Sequence, residues 1–462
     1  MKQLLTFGLL SALVISGCRK IEVDGTNTGN NGGGGNENTI LEGRIKENRT
    51  LKASNTYKLR GLVYVTDGAV LTIEPGTKIV GETGQRGGLI ITRGAKIIAD
   101  GTSDKPIVFT SEAASPARGD WAGIVLLGNA PTNASYNGTQ GIGEIEGGVN
   151  NSDGLGLYGG NNPADNSGIL RYVRVEYAGY AFLPDKEINA ITFGGVGNQT
   201  IVDYVQVSYS NDDSFEWFGG TVNATHLISF RCLDDDFDTD NGFSGKIQFG
   251  IVLRDSAVAD ISKVEAFESD NDANGSTLLP QTAAVFSNMT VLGPKATLAN
   301  NGNSLFLAGA QIRRNSTISL FNSIIAGWPQ GLLIDASKGT PTDNNIFGAT
   351  PTLFVQNTII AGCATPVKYS ASTTPTGKGD ADILAWFNTA SYGNSILATN
   401  ADLALTAPFN YTAPDFNPTA GSPAATGASF THDKVKAGFT SVAYKGACSP
   451  TDTWWKTWTK FN

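Results

Sequence analysis

Histidine is almost missing from this 462-residue chain, which has two, His226 and His432. That scarcity argues against a His-rich metal centre and against a Ser-His-Asp triad. Methionine is equally rare, and the four cysteines form no CxxC pair, so neither a zinc ribbon nor a thioredoxin-type motif is present. Charged residues make up 16%, below the usual ~25%. The net charge is −9 with no basic stripe, which disfavours nucleic acid as a partner. No stretch carries sustained 3.6-residue apolar periodicity, so the helices that separate strands in a βαβ sheet are lacking. Beyond residue 40 no apolar run is long enough to cross a bilayer as a helix.

What is present begins with "MKQLLTFGLLSALVISGCRK". Lys2 is a short basic region, Leu4 to Ile15 an apolar run of signal-peptide length, and Ser16-Gly17 precede Cys18. The end of this run resembles the bacterial lipoprotein cleavage box. The resemblance implies a signal peptide over 1–17 and lipidation of Cys18, hence a membrane partner through the lipid. Arg19 follows, where an Asp is associated with inner-membrane retention, so the expectation is the outer membrane, with the exposed face left open. Residues 18–39 then read as a Gly/Asn-rich tether, about twenty residues with a reach of roughly 25 Å. Three cysteines remain, an odd number for an oxidising compartment. Cys232 reads as a buried small hydrophobe, and spacing gives no support to a Cys363–Cys448 bond, although one is possible.

The 56 glycines and the recurrent Asn, Thr, Val and Ile point to an all-β body over 40–462. Short strands repeat. "VTDGAVLTIEPGT" at 65 matches "ITRGAKIIADGTS" at 91, "YVRVEYA" at 172 matches "YVQVSYS" at 204, and "NSIIAGWPQGLLI" at 322 matches "NTIIAGCATPVKY" at 357. Such self-similarity means a stacked architecture. The expected fold is a right-handed parallel β-helix, a solenoid with long loops on one side; a propeller would need more regular spacing. Val205, Val207 and Tyr209, then Ile228, Phe230 and Cys232, are expected inside. Trp454, Trp455 and Trp458 read as an end cap or edge cover rather than a sugar platform, within a C-terminal cap from about residue 430.

The segments "GDWAGIVLLGNAPTN", "GEIEGG", "NPADNSGILRYVRVEYAG", "LDDDFDTDNGFSGKIQFG" and "ESDNDANGS" resemble a family of pectin-lyase-like β-helix lipoproteins of Bacteroidota. The likeness covers nearly the whole mature chain and implies the same fold and compartment.

Acid is concentrated in one region. Residues 211–272 hold 14 Asp or Glu against Arg231, Lys246, Arg254 and Lys263, a charge of −10, so the remainder is near neutral. Five carboxylates crowd residues 234–240, at Asp234, Asp235, Asp236, Asp238 and Asp240. With a shift of 23, Asp212 and Asp213 meet Asp235 and Asp236, and a third stretch carries Glu268, Asp270 and Asp272. Stacked carboxylates repel unless a cation or water separates them. Oxygen-only ligands suit Ca²⁺, expected between the second and third stretches; solvated Asx turns are the competing explanation.

Three functions fit. The first is a non-catalytic envelope module that binds a glycan or surface partner, with Trp121, Tyr158, Trp217 and Phe218 as candidate sugar-stacking rings. The second, implied by the pectin-lyase-like fold, is a polysaccharide-active enzyme. A lyase would use Arg231 or Arg254 as base; a hydrolase would pair Asp213 with Asp235 or Asp236. The third is an accessory lipoprotein of an outer-membrane uptake complex. The first is favoured, because no catalytic constellation is complete in the sequence and fold alone does not confer activity.

Overall fold

Short β-branched and aromatic runs, each ended by Gly, Asn or Asp, form strands that pair in parallel with the corresponding strand one turn later. The computed structural model describes residues 38–84, 86–183, 186–295, 303–373 and 376–462. The signal peptide, Cys18 and nearly all of the tether lie outside the described residues. From Thr39 onward, 27 of the described strands join one parallel sheet wound into a right-handed parallel β-helix. The three repeats found in the sequence are neighbouring rungs: Val65 pairs with Ile91, Arg171 with Asp203, and Ile324 with Ile359.

Two ladders matter for function. The first stacks Gly88–Ile91, Gly123–Leu127, Ile191–Gly194, Phe215–Phe218, Phe237–Asp240 and Phe267–Ser269. The second stacks longer strands, Gly168–Glu176, Ile201–Ser208, Asn223–Phe230, Lys246–Leu253 and Val285–Leu292. Each long strand bends at one left-handed residue, in order Tyr172, Tyr204, His226, Phe249 and Asn288. Asn tolerates this conformation; bulky residues do so only under compensation. Here the rings stack: Tyr172 on Tyr204 at 4.4 Å, Tyr204 on His226 at 4.1 Å, and His226 on Phe249 at 5.1 Å. His226 is thus a corner residue, with Nδ1 2.8 Å from Asp203.

The spacing between the coils that carry the acidic stretches is 22 residues, not 23: Val205 pairs with Leu227, and Phe215 with Phe237. A one-residue slip exchanges the faces of a strand. Val205 and Val207 therefore lie inside as expected, but Ile228 and Phe230 point away from the coil interior. They are still buried, because the C-terminal segment lies across that flank. Ile228, Phe230, Ile251, Leu253, Leu292, Ile324 and Ile359 pack under Phe416, Trp455, Trp458 and Phe461. Side chains of the coils hold this strap: Arg174 donates to the Trp458 carbonyl, Gln206 to Lys460, and Asn288 to Tyr444. The tryptophan tail is a flank cover. The last coil's core is closed instead by the helix Asp380–Phe387, which buries Ile383, Trp386 and Phe387 in the central cluster. Cys363 and Cys448 are both buried free thiols, and so is Cys232.

Candidate functional site

Along the first ladder, one column of side chains points away from the coil interior: Ile90, Val125, Thr192, Glu216, Asp238, Glu268 and Gln311. Phe215, Trp217, Phe237 and Phe267 alternate with them and fill the core. The column changes character along its length. Ile90 and Val125 are covered by a Gly-rich excursion through Ile145, Val149 and Tyr158. From Glu216 onward the column becomes acidic.

The column three residues earlier is acidic too, and it is tied to the backbone. Asp213 Oδ1 accepts the Asp235 N–H at 2.8 Å, and Asp235 Oδ1 accepts the Glu265 N–H at 2.6 Å. Beside these, oxygens of Asp212, Asp213 and Asp234 lie within 4.8 Å of one another, and so do oxygens of Asp213, Glu216 and Asp238. Asp213 is common to both groups. Burial first, and like-charged neighbours second, push the Asp213, Glu216 and Asp238 carboxyls well above the ordinary range and Asp234 up to about 7. Among the described residues no Lys or Arg forms an ion pair with Asp213, Glu216, Asp234 or Asp238.

The third stretch behaves differently. Arg313 binds Glu268 and Asp270, with Nε 2.8 Å from Asp270, and Arg314 also binds Asp270. Asp272 caps its own loop by accepting the Asn274 and Ser276 N–H groups. Asp240 accepts from its neighbour Asn241. Arginines of the following coil thus pair with the third stretch, whereas the two groups of converging carboxylates lie between the first and second. Next to them opens a cleft of about 290 Å³ lined by Asp234, Lys263, Glu265, Glu268, Gln311 and Arg313.

Several sequence-derived candidates fall elsewhere. Asp236 faces the core, where Arg254 meets it at 3.2 Å with both side chains fully buried. Arg231 is bonded to Asp255 at 2.9 Å and lies over the Tyr411 ring. Neither arginine can reach a ligand on the acidic column. Asp213 and Asp235 are buried and bonded to backbone, which suits bracing of coils rather than paired acid and base work across an open bond. Trp121, Tyr158 and Trp217 are core rings, at most 2% exposed, and offer no face to a sugar. Phe218 is partly covered and packs against Tyr158 at 6.1 Å. Glu265, Lys263 and Arg313 belong to the site and were not singled out from sequence, and Glu216, although part of the first acidic stretch, was not among the expected ligands. The 22-residue register would have aligned Glu216 with Asp238, but Arg313 comes from a coil with no acidic repeat to mark it.

A family model for the pectate-lyase-like β-helix domain matches residues 43–400. The chain belongs to this family. No curated protein and no solved structure matches it. The family domain takes in both ladders and the acidic columns, while the flank strap after residue 400 lies beyond it.

Proposed function

We propose that the chain is a non-catalytic envelope module that binds an acidic glycan through a divalent cation, Ca²⁺ in the first instance. The observation that carries this reading is the convergence of Asp212, Asp213, Glu216, Asp234 and Asp238 beside a cleft. Hard divalent cations take six to eight oxygens from carboxylates, carbonyls and water, and no histidine is needed. The residues fit such an ion: Asp234 Oδ1 is buried with no hydrogen-bond partner, and burial together with neighbouring carboxylates makes an ion-free cluster costly. Asp213, Glu216 and Asp238 would hold the ion, with Asp212 and Asp234 at its edge. The cation would supply a positive point at which a uronate carboxylate can approach an otherwise repulsive surface.

The basic groups near the site support binding over elimination chemistry. Arg313 is kept charged by Glu268 and Asp270, so it is a poor proton acceptor. The test is calorimetry on residues 39–462 with Ca²⁺, followed by a uronate polymer in Ca²⁺ and in chelator. Expected are heat with Ca²⁺ and polymer binding only when Ca²⁺ is present. Absence of heat together with an unchanged melting temperature removes the reading. Release of unsaturated ends or reducing sugars would replace it with an enzymatic one. Anchoring at the outer membrane through Cys18 is part of the same proposal; Cys18→Ser is expected to move the protein from the membrane to the soluble fraction.

A further inference from the structure

Arg254 and Asp236 form an ion pair in which both side chains are fully buried. Taking two charges out of water is costly, and such a pair is often no better for stability than apolar residues of similar volume. Its placement therefore asks for another reason, and the contacts of the guanidinium supply one. Arg254 leaves the end of strand Lys246–Leu253, one coil beyond the acidic segment, and reaches back beneath it. Nη2 donates to the Leu233 carbonyl at 3.3 Å, and Nη1 donates to the Asp234 carbonyl at 2.6 Å and to Asp236 Oδ1. Asp236 is in turn held by the Ser229 hydroxyl of the preceding strand. One side chain thus grips residues 233, 234 and 236 from the core side and fixes the backbone that carries Asp234. The same guanidinium is a fixed positive charge behind a cluster of carboxylates, and it eases their mutual repulsion.

We infer that Arg254, with Asp236 as its counter-ion, is the positioning residue of the cation site: it sets the height and direction of Asp234, at the edge of that site, without touching the ion. The inference rests on the cation-binding reading above. Partners behind metal ligands of this kind commonly change affinity 10–100-fold when removed. The experiment replaces both members together, Arg254→Met with Asp236→Leu, so that no orphaned charge is left in the core. Arg254→Lys is a second variant that keeps the charge but loses the fork of donors. Circular dichroism and melting temperature report the fold. Tb³⁺ luminescence lifetimes in H2O and D2O report the waters left on a bound ion, and Ca²⁺ competition reports affinity. For a folded double variant, Ca²⁺ affinity is expected to fall about tenfold or more, with at least one additional water on Tb³⁺. The Lys variant should shift the same way by less, and it carries the test if the double variant does not fold. Wild-type affinity and water count in a folded variant overturn the inference alone. A wild-type protein that binds neither ion overturns the cation site and this inference with it.

Discussion

Lys263 holds φ at +105°, a backbone conformation that side chains rarely adopt, at the edge of the cleft. Strain of this kind amounts to about 1–3 kcal/mol and persists where the surroundings impose it. Lys263→Gly is expected to raise unfolding free energy by about 1 kcal/mol in denaturant titration, while weakening acidic-glycan binding; a variant no more stable than wild type would show that the angle carries no strain. Asp234 supports a pH prediction. Its folded value of about 7 lies above the 3.8 of the unfolded carboxyl. The folded state then holds a proton that the unfolded state has released. Stability of the metal-free protein should therefore fall as pH rises from about 4 to 7 and level off above it. Asp213, Glu216 and Asp238, shifted in the same direction, extend the trend. Melting curves in chelator at pH 5 and pH 8 check this: the midpoint should be higher at pH 5, and added Ca²⁺ should recover the loss at pH 8.

At the scale of the strand, much of the architecture was legible because neighbouring coils repeat their own sequence. Offsets of 26, 32 and 35 residues, read from "VTDGAV", "YVRVEY" and "NSIIAG", are true rung pairs. The acidic coils misled by one residue, since Asp-Asp aligns with Asp234-Asp235 as readily as with Asp235-Asp236. Alternation could not break the tie, because Leu227 and Ile228 are both buried, one inside the coil and one under the strap. The slip put Asp236 on the ridge and left Glu216 off it. Adjacent acidic residues should accordingly respond in opposite ways. Asp236→Ala leaves Arg254 uncompensated in the core and is expected to cost about 3–5 kcal/mol. Asp238→Asn removes one charge from a repulsive column, and should raise the melting temperature in chelator while weakening Ca²⁺ binding in calorimetry. Similar losses in both variants would mean that the two carboxylates share an environment.

At the scale of the whole molecule, the long-range contact of the strap was the least legible feature. The sequence marks Trp454, Trp455 and Trp458 as a cover, but their place depends on an apolar column that exists only once the coils are stacked: Ile228 above Ile251, then Thr290, Ile324 and Ile359. A parallel β-helix within the family domain needs polar outward faces wherever water reaches it. This chain departs from that requirement on one flank, and residues beyond the matched region meet the departure. Gln206, Asn288 and Asn322 fix the strap by side-chain bonds to Lys460, Tyr444 and Ser429, so it is seated by polar as well as apolar contacts. Removal of residues 405–462 should therefore expose a contiguous apolar surface and drive self-association, seen as dye binding and a shift to larger species in size-exclusion chromatography. Adding Ile228→Thr, Ile251→Thr, Ile324→Thr and Ile359→Thr to the truncated chain keeps β-branched side chains but makes that column wettable, and should reverse the added self-association. The same four changes in the full-length chain should instead destabilise it, because each places a hydroxyl under the strap. If they are neutral there, the strap does not seal this flank in solution.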